Sequence, residues 1–152
     1  MQTIGIRVSP KEVTFAIYDS EARKIINVED IKVPLAFTFP DALKYIRNNL
    51  LDVLREYQVS RAGIRVTETS AQRLSIERIQ IEGVIQEAFA SSSLNYYYVG
   101  QISSISSKIG IERINFKKYI DGQLDFEEVE NWKALSGNQK EAVFSALGAV
   151  YD

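Results

Sequence analysis

Histidine and cysteine are both missing from this chain of 152 residues, so any chemistry rests on carboxylates, lysines, arginines, tyrosines and the hydroxyls of serine and threonine. Thiolate nucleophiles, Cys/His zinc sites, Ser-His-Asp triads and imidazole general bases are excluded. Among the remaining groups, Lys108, Arg113, Lys117 and Lys118 fall close together and could touch phosphate. Glu112, Asp121, Asp125, Glu127, Glu128 and Glu130 lie among them, which supports a solvated mixed-charge surface at least as well. Tyr96-Tyr97-Tyr98 could stack bases. Successive strand positions alternate faces, however, so at most two of the rings share a surface, and core and edge packing is the expectation. With 18 basic and 20 acidic residues the net charge is −2, so no overall field gathers phosphate backbones, though one local basic groove remains compatible with it.

The elements that must position these groups follow from apolar spacing. Thr3 to Val8 and Val13 to Asp19 read as a hairpin turning at Ser9-Pro10-Lys11-Glu12, where Pro10 fixes the turn's φ. Ile25 to Val28 and Ile31 to Val33 supply a third, broken strand that ends at Pro34. From Pro40 the spacing turns helical, through Leu43, Ile46, Leu50, Val53, Leu54 and Tyr57. Arg61 to Val66 is then a short strand, placed parallel to the first by a right-handed crossover, with Glu68 beyond its carboxyl end. Ser70 to about Ser91 reads as a second long helix carrying two apolar stripes. Leu74, Ile81, Val84, Ile85, Ala88 and Phe89 gather on one side, and Ile76, Ile79, Gly83 and Ala90 gather opposite. Tyr96 to Val99 reads as a last strand and the Ser-rich 103–108 stretch as a loop. Ser136-Gly137-Asn138 caps a closing helix that buries Ala142, Val143, Ala146, Leu147 and Val150. The expectation is one domain over residues 1–152, with an α/β mixed sheet of five strands flanked by helices.

This element order resembles the ribonuclease H-like fold, and local motifs narrow the likeness to RuvC-type resolvases. Ile4-Gly5-Ile6 leading into a hairpin looks like their opening strand, and Ile64-Arg65-Val66-Thr67-Glu68 looks like the strand that delivers their second acidic residue. Ser106-Ser107-Lys108 resembles the family's lysine-bearing loop, and Asn138-Gln139-Lys140-Glu141-Ala142 the Asp-x-x-Asp-Ala start of its last helix. Glu141-Ala142-Val143-Phe144 also resembles the final helix of small uncharacterised bacterial RuvC-like proteins.

The resemblance implies a nuclease site whose clustered carboxylates hold two Mg²⁺ ions roughly 4 Å apart. The sequence departs from it at decisive places. Arg7 stands where the family has its first Asp, and a guanidinium cannot ligate a metal. Asn138 replaces another acid, so of the matched acidic positions only Glu68 and Glu141 remain. The expectation is a degenerate site in which Arg7 pairs with Glu68 or Glu141, with no resident metal or other cofactor. The chain would then act as a non-catalytic module that binds a protein partner or structured nucleic acid, using Lys108, Arg113 and Lys117 in the latter case. The alternative is an Mg²⁺- or Mn²⁺-dependent DNA or RNA endonuclease, its site rebuilt from Glu68, Glu141 and a neighbour such as Asp19 or Glu12.

The stripe Ile76, Ile79, Gly83 and Ala90 suits a homodimer interface, because small residues let a second helix approach closely. Cover by the terminal helix or by the Ile111 to Trp132 segment of the same chain is equally compatible with the pattern. No stretch has the apolar length of a membrane span and no secretory signal pattern opens the sequence, so the expectation is a cytoplasmic protein without a membrane partner.

Overall fold

Alternation along the first strand puts Ile4, Ile6 and Val8 on one face and Thr3, Gly5 and Arg7 on the other, and helices cover both faces. The structure, a computed structural model, describes residues 1–151. Strands β1 (Gln2–Val8), β2 (Glu12–Asp19) and β3 (Lys24–Lys32) form an antiparallel meander. Helix α1 (Phe39–Glu56) crosses over to β4 (Val59–Arg65), which pairs parallel with β1. Helix α2 (Ile76–Ser91) leads to β5 (Tyr96–Gly100), parallel to β4. Helices α3 (Ile102–Ile109), α4 (Phe116–Ile120) and α5 (Gly137–Gly148) complete the chain. The sheet order is β3-β2-β1-β4-β5, the mixed five-stranded α/β arrangement expected from the sequence.

One core lies between the sheet and α1 with α2, and includes Ile4, Ile6, Phe15, Ile17, Ile46, Leu50, Ile64, Ile85 and Phe89. The second lies under α5 and includes Ala16, Tyr98, Ile105, Phe116, Phe126, Trp132, Val143 and Phe144. Helix α5 rests directly on the central strands: a Cβ added at Gly5 would sit 1.9 Å from the Ala142 carbonyl oxygen and 2.1 Å from the Ala146 nitrogen. The Thr3 hydroxyl donates to the Ala146 carbonyl at 2.8 Å, and the Tyr98 hydroxyl to that of Ser145 at 2.8 Å.

Three expectations need correction. Helix α2 starts at Ile76, not Ser70, and Ser75 is its cap, its hydroxyl accepting from the Arg78 N–H. Both carboxylate oxygens of buried Glu82 hold the Thr67 N–H, at 3.0 and 3.1 Å. The chain between Glu68 and Ser75 is therefore spent on returning from the end of the sheet, and Leu74, expected on the buried side, is exposed. The Ser-rich stretch is a helix, α3. Ile102 and Ile105 bury one face, the Ser104 hydroxyl accepts from the Gln101 N–H at 2.9 Å, and Gly110 ends the helix in the left-handed region at φ 75°. Val150 is only partly buried, whereas α5 buries Lys140, Phe144 and Ser145 as well as its expected apolar positions.

The segment after α3, which had no clear sequence pattern, supplies the lid of the second core. Phe126 and Trp132 pack on Phe144 with ring centroids 5.0 and 4.8 Å away. The Trp132 indole N–H donates to the Tyr119 carbonyl at 3.0 Å.

Candidate functional site

Parallel pairing of β1 with β4 sets Arg7 in register with Arg65. Two adjacent strands thus deliver guanidiniums side by side at their carboxyl ends, on the face covered by α5. Glu141, one turn into α5, meets both. Its Oε2 accepts from Arg7 Nε at 3.0 Å and its Oε1 from Arg65 Nε at 3.1 Å. Arg65 Nη1 also lies 3.1 Å from Glu68 Oε2, and that carboxylate oxygen accepts the Ile102 N–H at the start of α3 at 3.1 Å. Arg7 Nη1 donates to the Arg65 carbonyl at 3.2 Å, and Arg65 Nη1 donates to that of Val66.

Arg7 and Arg65 are buried while Glu68 and Glu141 are only partly covered. Burial pushes the Arg7 guanidinium down to about 10; the Glu141 carboxylate opposes this and the Arg65 charge adds to it. The group stays cationic near neutral pH. Beside the quartet, Arg78 Nε donates to the Val8 carbonyl at 2.8 Å and lies 3.9 Å from Glu82. Three arginines and three glutamates therefore meet at this end of the sheet. A groove of about 350 Å³ opens onto the quartet, lined by Arg7, Arg65, Glu141, Lys117 and Asp121, with Ile102, Phe116 and Ile120 as its apolar wall.

Of the two pairings expected for Arg7, with Glu68 or with Glu141, the one with Glu141 is seen, while Glu68 pairs with Arg65. Arg65 was missed. Its strand was recognised, but only the register reveals that Arg65, rather than Glu68, is the side chain β4 sets beside Arg7. Asn138 lies three residues before Glu141 on α5, hence on the same helix face one turn away, and makes no side-chain hydrogen bond among the described residues.

Lys117 reaches the groove, but Lys108 does not belong there. Its Nζ donates to the Tyr96 hydroxyl at 2.7 Å and the Tyr151 carbonyl at 3.0 Å. Tyr96 begins β5, whereas Gly100 at the far end of that strand is the partner of Arg65, so α3 carries Lys108 away from the site. Arg113 is exposed and does not line the groove. Tyr96-Tyr97-Tyr98 divides as expected, with Tyr98 buried under α5 and Tyr97 exposed on the other face.

Neither neighbour suggested for a rebuilt acidic site joins the quartet. Asp19 pairs with Gln2 at the opposite end of β1, roughly 16 Å from Arg7 at about 3.3 Å per residue, and accepts from the Glu21 and Ala22 N–H groups of its own turn. Glu12 opens β2 beside Lys32 and makes no ion pair among the described residues. The donor set does not fit a divalent pair. Hard cations need several free carboxylate oxygens, but Glu141 has both oxygens on guanidiniums, Glu68 is shared with Arg65 and a backbone N–H, and two arginine charges occupy the position. Among the described residues no three His, Cys, Asp or Glu side chains are placed so that together they could hold a metal ion.

On α2, Ile76 is 73% and Ile79 41% exposed, and Gly83 and Ala90 are exposed as well. A Cβ at Gly83 would meet nothing within 4 Å. Neither the closing helix nor the 111–132 segment covers this stripe, which settles the intrachain alternative. It borders a shallow groove between α1 and α2 lined by Leu43, Lys44, Arg47, Gln80, Gly83, Val84 and Glu87.

Neither a known family model nor a curated protein sequence matches this chain. Solved structures do. RuvC from Thermus thermophilus superposes with a TM-score of 0.74 at 13% identity, covering 97% of this chain and 92% of that one. The same organism's RuvC in complex with a Holliday junction substrate gives 0.70 at 12% identity with the same coverage. The yeast mitochondrial Holliday junction resolvase Ydc2 gives 0.54 at 16% identity, covering 97% of this chain and 75% of that one. The fold is RuvC-like, of the ribonuclease H-like type. No helix among the described residues is long and apolar enough to cross a membrane.

Proposed function

We propose that this chain is a non-catalytic RuvC-like module that binds structured nucleic acid as a cytoplasmic homodimer, its former nuclease centre serving as an internal brace. The observation that carries the reading is the quartet itself: Arg7 and Arg65 hold both oxygens of Glu141, at the position where two-metal hydrolysis needs free carboxylates. The choice of nucleic acid rests on similarity to a resolvase fold solved with a Holliday junction. The dimer rests on the exposed α2 stripe, whose bulky residues Ile76 and Ile79 lie toward one end and small Gly83 and Ala90 toward the other. A twofold axis near Gly83 sets large residues against small ones across an antiparallel helix pair.

The test is a panel of single-stranded, duplex and branched DNA and RNA, incubated with Mn²⁺ or Mg²⁺. The expected outcome is salt-sensitive retention of branched substrates without cleavage, in wild type and Glu68→Ala alike. Cleavage by wild type that Glu68→Ala abolishes would establish the divalent-metal nuclease instead. Retention of no nucleic acid would overturn this reading in favour of a protein partner.

A further inference from the structure

The atoms that make the quartet unsuitable for a cation suit an anion. A guanidinium has five N–H donors in a fixed fork. Arg7 uses Nε and Nη1, and so does Arg65. Neither Nη2 has a partner among the described residues, and neither is among the fully buried unpaired atoms, which are Gln2 Oε1 and Ser106 Oγ. Both Nη2 groups therefore reach solvent, and the groove that Arg7 and Arg65 line is the opening beside them.

The acceptors around that groove are already engaged. Glu141 is held by two arginines, Glu68 by Arg65 and the Ile102 N–H, and Asp121 by the Gln123 N–H and side-chain amide at 3.2 and 2.9 Å. Lys117, exposed at the rim, has no partner among the described residues. Glu141, which also lines the groove, holds both arginines in place, so little ordering is left to be done when a ligand arrives. The apolar wall of Ile102, Phe116 and Ile120 lowers the local dielectric and strengthens a charge-assisted hydrogen bond.

We propose that this groove binds a phosphate-type oxyanion directly, through Arg7, Arg65 and Lys117, with no metal ion between protein and ligand. The proposal rests on the reading of the site as something other than a metal centre. Its test is independent of cleavage: inorganic phosphate is titrated into the whole protein in the presence of EDTA, following the arginine Nε–Hε NMR resonances. Saturable shifts of the Arg7 and Arg65 resonances are expected, with binding about fivefold weaker in Lys117→Ala, a surface change that leaves the quartet intact. Arg65→Lys keeps the charge but removes the fork, and should weaken binding further.

A short oligonucleotide without terminal phosphate and a nucleoside 5′-monophosphate are then added as competitors. Displacement by the oligonucleotide assigns the site to backbone phosphodiesters, and displacement by the mononucleotide alone assigns it to a small phosphomonoester. Absence of saturable shifts, shifts indifferent to both substitutions, or binding that appears only when Mg²⁺ is restored would each overturn the proposal. If phosphate does not bind and no substrate is cut, the non-catalytic reading survives without it. If substrate is cut while phosphate binds in EDTA, that reading falls and the oxyanion site stands.

Discussion

Glu141 shares one carboxylate between two buried guanidiniums, so its charge counts for more than that of a glutamate in a simple pair. Replacing it by Gln leaves Arg65 with Glu68 as its counter-charge and Arg7 with only the more weakly acting Glu82. Removing one partner from such an arrangement costs about 3 kcal/mol or more. Urea denaturation of Glu141→Gln should show that loss, and a smaller one for Glu68→Gln, whose carboxylate serves one arginine and one backbone N–H. Tyr98 offers a test in pH. Burial raises its phenol above the ordinary value of 10.0, so above about pH 10 the unfolded chain gives up a proton that the native chain keeps. Stability then falls by about 1.4 kcal/mol per pH unit from this group. Tyr98→Phe costs about 1 kcal/mol at neutral pH through the lost bond to Ser145, but its stability should decline less steeply above pH 10. The shift at Arg7 has the opposite sign, because the native state binds that proton less tightly, and it cancels between the two proteins. A pairing of Arg7 with Glu68 or Glu141 was legible because all three fall in motifs that resemble those of RuvC-type resolvases, though the sequence did not choose between the two acids. Arg65 was not, because the neighbour of a strand residue depends on a register that the linear sequence does not contain.

Among the helix–strand pairs, α5 and β1 are the most extensively in contact. Gly5→Ala would drive a methyl group into the α5 backbone, and overpacking of a closed core costs about 1–3 kcal/mol or more. A thermal melt should show Gly5→Ala strongly destabilised, and Gly83→Ala, on open helix surface, raised in the monomer by the better helix propensity of alanine, about 1 kcal/mol. The two long helices and strands β1, β2 and β4 were legible because their apolar residues keep a period or a short apolar run, and β3 and β5 because β-branched and aromatic residues cluster between turn signals. Helix α3 was not, because a run of serines hides the Ile102, Ile105 and Ile109 spacing and reads as loop composition. The start of α2 was misplaced because Ser70 and Ser75 are both competent caps, and only the grip of Glu82 on Thr67 decides between them.

For the whole molecule, the exposed α2 stripe makes a prediction about mass. Sedimentation equilibrium should give twice the 17.2 kDa of one chain, and Ile79→Glu should return the monomer without loss of helix content. A wild-type monomer at micromolar concentration would end the dimer reading. The 111–135 segment resisted the sequence because its order comes from Phe116, Phe126 and Trp132 meeting Phe144 on a distant helix, a contact with no local period. That dependence on a late helix also sets a schedule for birth on the ribosome. Thr3 bonds to Ala146, 143 residues further along the chain, so β1 must wait for α5 before that face is covered. Counted from the end of β3 at Lys32 to Ala146, at about 5–20 residues per second, the uncovered face of the nascent meander stays open for roughly 6–23 s. Chaperone demand should therefore peak before α5 emerges, and a ribosome stalled ahead of it would hold a chain whose first core is complete and whose second has no roof.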